Sequence, residues 1–269
     1  MPNSRILMAG DVHGNCSFII SLLDQAKNKG CDRIVQVGDY GSWEHEADGR
    51  KFVRDVEKHA AKRGIGIWWL DGNHDNTSLT LKLHPDRDDE GFHVITDHVR
   101  YIPRGHRWTW DGVRFAAFGG AYSVDKAWRV EKEEKRRAPG TLWFPEEEMT
   151  DAEFYRHLAD PTSVDVLLSH DKPRDSRPDW NRKDLPGCLP NQERIQTAAM
   201  VLTPRLLVHG HLHYRYTDRI RVGGDWCRVE GLAADPDAMG HDYVKGESWM
   251  VLDLAKDLDA VGDMETADA

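Results

Sequence analysis

The stretch Gly10-Asp11-Val12-His13-Gly14-Asn15 follows directly after the apolar run Ile6-Leu7-Met8-Ala9. The apolar run predicts a buried β-strand, and the glycines around Asp11 and His13 predict a tight turn at its end. On such a turn a carboxylate and an imidazole two residues apart can converge on one point. Both groups are common metal ligands, so the strand is predicted to end at a metal site.

Three later stretches repeat this design, in which an apolar strand ends at a glycine and at residues that bind metals. They are Val35-Gln36-Val37-Gly38-Asp39, Trp68-Trp69-Leu70-Asp71-Gly72-Asn73-His74-Asp75 and Leu206-Leu207-Val208-His209-Gly210-His211-Leu212-His213. A fifth stretch, Val166-Leu167-Leu168-Ser169-His170, lacks the glycine. Packing alone does not explain five strand ends that carry Asp, Asn or His, because polar side chains are costly to bury without partners.

Helical patterns separate the first three predicted strands. Apolar residues recur at helical spacing from Phe18 to Ala26 and again from Phe52 to Ala60. This alternation predicts right-handed crossovers and a largely parallel sheet, with ligands gathered outside the carboxyl ends of its strands. From Val99 onward the apolar segments become shorter and more alternating, and we expect the second sheet to begin there.

Taken together, the five stretches resemble the calcineurin-like metallophosphoesterases, and the region from Gly119 to Lys126 is similar to small bacterial and phage members. The family's motifs are Asp-x-His, Gly-Asp, Gly-Asn-His-Asp/Glu, a lone His after a strand, and Gly-His-x-His, and they occur here in the family's order. The resemblance implies an α/β fold, a four-layer αββα sandwich of two mixed β-sheets flanked by helices. It also implies a hydrolase in which a hydroxide that bridges two divalent metal ions attacks a phosphoester in line.

The resemblance implies a ligand set for two metal ions that share one carboxylate. The sets are Asp11, His13, Asp39 and His213 for one ion, and Asp39, Asn73, His170 and His211 for the other. This mixture of imidazole, carboxylate and amide oxygen suits manganese, iron, nickel or zinc better than calcium. By strand alternation His209 points away from His211, so His209 is expected to pack in the core or to support a ligand.

His74 belongs to neither ligand set. In the enzymes that this chain resembles, the histidine of Gly-Asn-His lies beside the phosphate and protonates the leaving oxygen or stabilises its charge. The resemblance therefore implies this role for His74, with Asp75 as the residue that orients it.

Four polar residues near the predicted strand ends are candidate substrate contacts. They are Asn15, Lys126, Arg129 and Arg174. For Lys126 and Arg129 a second interpretation is equally good, because both lie in a highly charged stretch that is typical of a solvated helix.

The motifs narrow the class of ester without fixing it. The second motif continues as Tyr40-Gly41-Ser42-Trp43 and lacks the Asp-Arg pair of the phosphoprotein phosphatases, and Ser42 stands where purple acid phosphatases carry a tyrosine ligand. The pattern is most similar to the phosphodiesterases, whose substrates include cyclic nucleotides, nucleotides and nucleic-acid ends. A phosphomonoesterase is the alternative, and a metal-binding scaffold without turnover is a third hypothesis.

Composition predicts a cytoplasmic protein that does not act on membranes. The chain has 269 residues, a net charge of -10 and 30% charged residues, so no overall field attracts nucleic acid. Its apolar runs are shorter than the roughly 18 residues of a membrane helix, and the N-terminus lacks the apolar core of a signal peptide. Four scattered cysteines favour free thiols. We predict one catalytic domain over residues 1–255 and a disordered tail over 256–269.

Overall fold

The alternating strands and helices of the N-terminal region form the first sheet. The computed structural model describes residues 5–178, 185–237 and 247–257. The strands of the first sheet are β1 (Arg5–Ala9), β2 (Arg33–Val37), β3 (Gly66–Leu70), β4 (His93–Val94), β5 (Val99–Tyr101) and β12 (Trp249–Asp253). Their order is β12-β1-β2-β3-β5-β4, in which β1, β2, β3 and β5 run parallel and the two edge strands run antiparallel.

The second sheet has the same mixed character. Its strands are β6 (Arg107–Trp110), β7 (Val113–Phe118), β8 (Val166–Ser169), β9 (Leu206–His209), β10 (Tyr216–Val222) and β11 (Asp225–Gly231). They lie in the order β10-β11-β9-β8-β7-β6. The four central strands run parallel, and the two edge strands, β10 and β6, run antiparallel to their neighbours. The carboxyl ends of β8 and β9 therefore lie side by side.

The described residues form six α-helices, four of which pack on the outer faces of the two sheets. Their bounds are α1 (Cys16–Asn28), α2 (Ala47–Arg63), α3 (Thr77–Leu83), α4 (Lys126–Arg136), α5 (Asp151–His157) and α6 (Leu189–Leu202), with a 3-10 turn at Pro186–Cys188. Because successive strand residues face opposite sides, Leu7 packs against α1 and α2, whereas Met8 packs between the sheets. On the second sheet, Leu207 packs against Ile195 of α6. The predicted αββα sandwich is thus confirmed.

The second sheet begins later than the sequence predicts. Val99–Tyr101 belongs to the first sheet, where Val99 pairs in parallel with Ile67, and the second sheet starts at Arg107. The expectation was wrong because apolar periodicity identifies a strand and not the sheet that the strand joins. Of the predicted tail, residues 256–269, the first two form a turn in which the backbone amides of Lys256 and Asp257 donate to the Asp253 carbonyl, and the remainder lies outside the described residues. The domain bounds stay a prediction. None of the helices in the described ranges is long and apolar enough to cross a bilayer.

A buried ion pair joins the end of β3 to the crossover between the two sheets. Asp71 accepts hydrogen bonds at Oδ2 from Arg104 Nε (2.8 Å) and Nη2 (2.6 Å), and at Oδ1 from the Tyr101 hydroxyl (2.9 Å). Arg104 Nη2 also donates to the Glu146 carbonyl at 2.7 Å. Since Asp71 immediately precedes Gly72 and Asn73, this network fixes the starting point of the third motif.

Arg104→Gln should lower the free energy of unfolding by about 3 kcal/mol, because it leaves the buried Asp71 carboxylate without its cation. The measurement is urea unfolding followed by tryptophan fluorescence. Arg54→Gln is the matched control, because Arg54 is exposed on α2. Equal unfolding midpoints for the two variants would show that the ion pair does not stabilise the junction.

Candidate metal centre

The five sequence motifs meet at one end of the sandwich, although they come from both sheets. The backbone N–H of His211, after β9, donates to Asp11 Oδ1 of the loop after β1 at 3.0 Å. Across the other side of the site, Nδ1 of His170, after β8, lies 2.9 Å from the carbonyl of Val37 at the end of β2. The loops of the two sheets are therefore joined by direct hydrogen bonds around one point.

Asp11, His13 and His213 form the first group of converging side chains. His213 Nε2 lies 3.0 Å from Asp11 Oδ2 and 3.2 Å from His13 Nε2. His13 Nε2 lies 3.9 Å from the same carboxylate oxygen. The three ligand atoms are close enough together to hold one metal ion.

The Asp39 carboxylate lies at the centre of the whole arrangement. Its Oδ2 atom lies 3.4 Å from His170 Nε2, 3.8 Å from His74 Nε2 and 4.0 Å from His13 Nδ1. Asn73 reaches the same region, because its Oδ1 lies 3.1 Å from His170 Nε2. Asp39 is thus a carboxylate within reach of side chains from both predicted ligand sets.

His211 lies next to this group rather than inside it. Its ring centroid is 5.0 Å from that of His170, and its ring nitrogens do not join the three-residue clusters of possible ligands found among the described residues. Burial lowers the pKa of His211 to about 3, so the ring is neutral at physiological pH, as a metal ligand must be. His209, by contrast, is buried and bonds at Nε2 to the Tyr216 hydroxyl at 2.7 Å, which fits its predicted supporting role.

Four of the predicted ligand residues have a strained backbone. The φ angles of His13, Asp39, His211 and His213 are 51°, 56°, 64° and 54°, in the left-handed region that residues other than glycine seldom occupy. Two glycines leave the space that these side chains need. A Cβ at Gly38 would lie 2.1 Å from His170 Nδ1, and a Cβ at Gly72 would lie 2.1 Å from Asp39 Oδ1. Strain of this kind persists where function requires side chains to converge.

The donor set fits divalent metal ions. An ion about 2.0–2.2 Å from each ligand holds neighbouring ligand atoms roughly 3 Å apart, which is close to the spacing of the His13, His213 and Asp11 atoms. Asp11 Oδ2 is buried and lies close to His213 Nε2, but the two groups are not aligned for a hydrogen bond. This oxygen therefore has no hydrogen-bond partner among the described residues. In His170 the Val37 carbonyl accepts the proton of Nδ1, so Nε2 is the nitrogen that faces Asp39 and Asn73.

The buried carboxylates of this group also favour the binding of cations. Burial disfavours a charged His170, but the carboxylates of Asp39 and Asp11 still raise its pKa to about 10. Burial likewise opposes the charge of Asp39, whereas the neighbouring His74 and His170 hold the pKa of this carboxyl well below its usual range. Two buried carboxylates therefore keep their negative charge and attract cations.

The Asp75 carboxylate bonds to backbone amides and not to the His74 ring in the described part of the chain, although the resemblance implies that it orients His74. In the described part of the chain, its carboxylate accepts hydrogen bonds from the backbone amides of Tyr40 (3.1 Å), Gly41 (2.8 Å) and Gly72 (2.9 Å). Consecutive residues on a turn point in different directions, so Asp75 faces down into the loops while His74 faces the site. Asp75 thus holds the loop that carries Asp39.

Arg129 is the predicted substrate contact that reaches the group. It is buried although it lies on the charged helix α4, and its Nη2 contacts His74 Nε2. Its Nε pairs with Asp125 at 2.8 Å, and its Nη1 donates to the Leu142 carbonyl at 3.2 Å. Burial lowers the pKa of His74 to about 3, so the ring is neutral and accepts the hydrogen bond from the guanidinium.

The other three candidate contacts have different surroundings. Asn15 caps α1 through its Oδ1 and donates to Asp235 at 2.7 Å, so its side chain is used structurally. Lys126 Nζ lies 4.1 Å above the Trp143 ring. Arg174 pairs with Glu193 at 3.2 Å and lines a cavity beside His211. Neither cap geometry nor side-chain direction could be derived from the sequence motifs.

Sequence reasoning missed several residues that support the site. Gln36, a polar residue inside the apolar second strand, donates from Nε2 to the carbonyls of Gly10 and Gly38. Trp43 Nε1 donates to the His74 carbonyl at 2.7 Å, and Ser123 Oγ accepts from Asn73 Nδ2 at 3.0 Å. Only Gln36 gave a signal, because a buried amide in an apolar strand needs partners.

Comparisons with known proteins identify the family and the fold. A family model described as calcineurin-like phosphoesterase matches residues 4–215. The fold is similar to that of a dimetal phosphatase from Danio rerio, with a TM-score of 0.53 and 12% identity over 93% of this chain and 92% of that one. A protein of Thermus thermophilus, TT1561, is also similar, with a TM-score of 0.49 and 14% identity over 86% and 89% of the two chains. No curated protein matches the sequence significantly.

Asp75→Asn should lower the free energy of unfolding by about 2 kcal/mol, because an amide NH₂ would face backbone N–H groups that now donate to the carboxylate. Thermal unfolding in the presence of a chelator measures this effect without a metal contribution. Asp55→Asn is the matched control, since Asp55 pairs with Lys51 on the surface of α2. A variant with normal stability and reduced turnover would instead support the orienting role.

Proposed function

The chain belongs to the calcineurin-like phosphoesterase family of metal-dependent hydrolases, and from this premise we propose that it hydrolyses a phosphodiester at a dinuclear metal centre. The observation that carries the proposal is the convergence of side chains from both sheets around the Asp39 carboxylate. A carboxylate with two oxygens suits the bridging position between two ions.

The proposed ligands follow the two predicted sets. They are Asp11, His13, Asp39 and His213 for one ion, and Asp39, Asn73, His170 and His211 for the other. When bound, manganese, iron, nickel or zinc would supply a water of lowered pKa and would offset negative charge on the phosphate oxygens. The fixed Nδ1 proton of His170 and the strained turn at Asp39 pre-organise the protein for these ions.

Arg129 and His74 are proposed to act together on the phosphate. Because His74 Nε2 accepts a hydrogen bond from Arg129 and lies 3.8 Å from Asp39 Oδ2, the neutral ring holds the guanidinium at the edge of the proposed metal centre, where it would meet a bound ester. The guanidinium can then stabilise negative charge that develops on the leaving oxygen. For His74 to act as the predicted proton donor, its Nε2 would first have to leave Arg129 and take up a proton, because Nε2 is the unprotonated nitrogen in this structure.

Two features favour a diester over a monoester. Among the described residues, Arg129 is the one arginine in contact with this group of side chains, and the second motif lacks the Asp-Arg pair of the phosphoprotein phosphatases. A cavity of about 650 Å³ also opens beside His211 and offers room for the second ester arm. A nucleotide, a cyclic nucleotide or a nucleic-acid end would meet these requirements, and a phosphomonoester is the alternative substrate.

The test is hydrolysis of bis-p-nitrophenyl phosphate and p-nitrophenyl phosphate by metal-stripped enzyme that is re-supplied with manganese, iron, nickel or zinc. We expect a higher kcat/KM for the diester. Asp39→Ala should lose activity and hold fewer than two ions per chain by elemental analysis, because it removes the shared ligand.

Each other outcome has a defined meaning for the proposal. A preference for the monoester would overturn the diester assignment and support a phosphatase. Metal binding without hydrolysis of either substrate would favour the non-catalytic scaffold. An Asp39→Ala variant that retains two ions would contradict the bridging assignment.

Arg129→Gln should keep the metal content and lower kcat about a hundredfold, because it removes a positive charge next to the reacting group. Arg136→Gln is the matched control, since Arg136 lies exposed in the last turn of the same helix. Equal kcat values for the two variants would exclude a catalytic role for Arg129.

A further inference from the structure

The cavity beside His211 is built by elements outside the five motifs. Its volume is about 650 Å³, within the range of roughly 300–1,000 Å³ that is usual for small-molecule sites. The loop after β8 and the first turns of α6 supply most of its wall, while His211 and Leu212 connect it to the metal centre. A substrate bound at the metal centre could therefore extend into the cavity.

Hydrogen-bond donors dominate one part of the cavity wall. Gln196 is only 8% exposed, and its Oε1 accepts a hydrogen bond from the backbone amide of Asp175 at 3.2 Å, so its NH₂ group is the part left to meet a ligand. Arg177 is exposed, and among the described residues its guanidinium makes no ion pair, while its backbone amide donates to Asp218 Oδ2 at 2.6 Å. Arg174 also lines this wall.

The acidic residues in the wall do not cancel these donors. Glu193 pairs with Arg174 at 3.2 Å, but the side chains of both are well exposed, at 61% and 40%. An exposed pair of this kind is weak and can exchange for a ligand. Asp175 is exposed, and it contacts Gln196 through its backbone amide and not through its carboxylate.

Another part of the wall is apolar. Val124 and Leu212 line the cavity together with His211, and Leu185 adds a further apolar side chain. The cavity therefore combines an apolar surface that begins beside the metal centre with a group of cationic and amide donors. This combination of surfaces matches a ligand whose organic part carries an anionic group.

We propose that this cavity binds a second phosphate group of the substrate, joined to the hydrolysed phosphate through an organic arm such as a nucleoside. The proposal rests on the proposed diesterase function and adds a substrate class to it. A planar guanidinium can donate two parallel hydrogen bonds to the oxygens of one phosphate. Arg177 and Arg174 are therefore suited to bind the second phosphate, with Gln196 as a further donor. Val124 and Leu212 would contact the organic arm.

The experiment compares two chromogenic diesters that differ only in the second phosphate. They are the p-nitrophenyl ester of thymidine 5′-phosphate and the same ester with an additional 3′-phosphate. In each, hydrolysis breaks the bond between phosphorus and the p-nitrophenol oxygen, and water supplies the oxygen that replaces it. We expect kcat/KM to be about tenfold higher for the ester with the 3′-phosphate, the effect of about one charge-assisted hydrogen bond.

Arg177→Gln should reduce this preference to near one, and Arg54→Gln, far from the cavity on α2, should retain it. Active wild-type enzyme that does not prefer the 3′-phosphate, or an Arg177→Gln variant that keeps the full preference, would overturn the second-phosphate site. Both results leave the diesterase proposal intact. Failure of the diesterase proposal is recognised separately, by the absence of hydrolysis of both esters and of bis-p-nitrophenyl phosphate.

Discussion

The Asp39 carboxylate is the group on which the rest of the site depends. It is buried, negatively charged and within 4.0 Å of three histidines. The surrounding chain makes this position possible because it leaves space for the carboxylate and compensates its charge. Gly72 leaves the space that the carboxylate fills, and the Asp75 side chain holds the backbone of its loop. The cost of burying this charge is offset by imidazoles in the present structure and by metal ions in the proposed holoenzyme.

Since these contacts come from both sheets, the site exists only when the sandwich is assembled. The apolar layer between the sheets, with Met8 on one side and Leu168 and Val208 on the other, sets the distance between the strand ends. The Asp71–Arg104 ion pair adds a polar link at the same junction. Packing and catalysis are therefore coupled, because a shift of one sheet against the other would separate the ligands.

Chemistry and substrate selection are assigned to different parts of the chain. The strand-end motifs carry the candidate metal ligands, whereas α4 carries Arg129 to His74, and the loop after β8 together with α6 forms much of the cavity beside His211. In the proposed enzyme, such an arrangement would let residues outside the motifs determine which ester binds while the metal centre stays unchanged.

The sequence by itself determined the strand-end turns, because strand periodicity and glycine-bounded turns are local properties, and the residues on those turns carry the resemblance that implied the family, the αββα fold and the candidate ligands. It could not decide which sheet β5 joins, since pairing partners are distant in sequence. The sequence also left Arg129 undecided between a solvated helix and the site, and it assigned Asp75 to His74. Only the tertiary structure resolved these points, because the direction of a side chain depends on how its element packs against others.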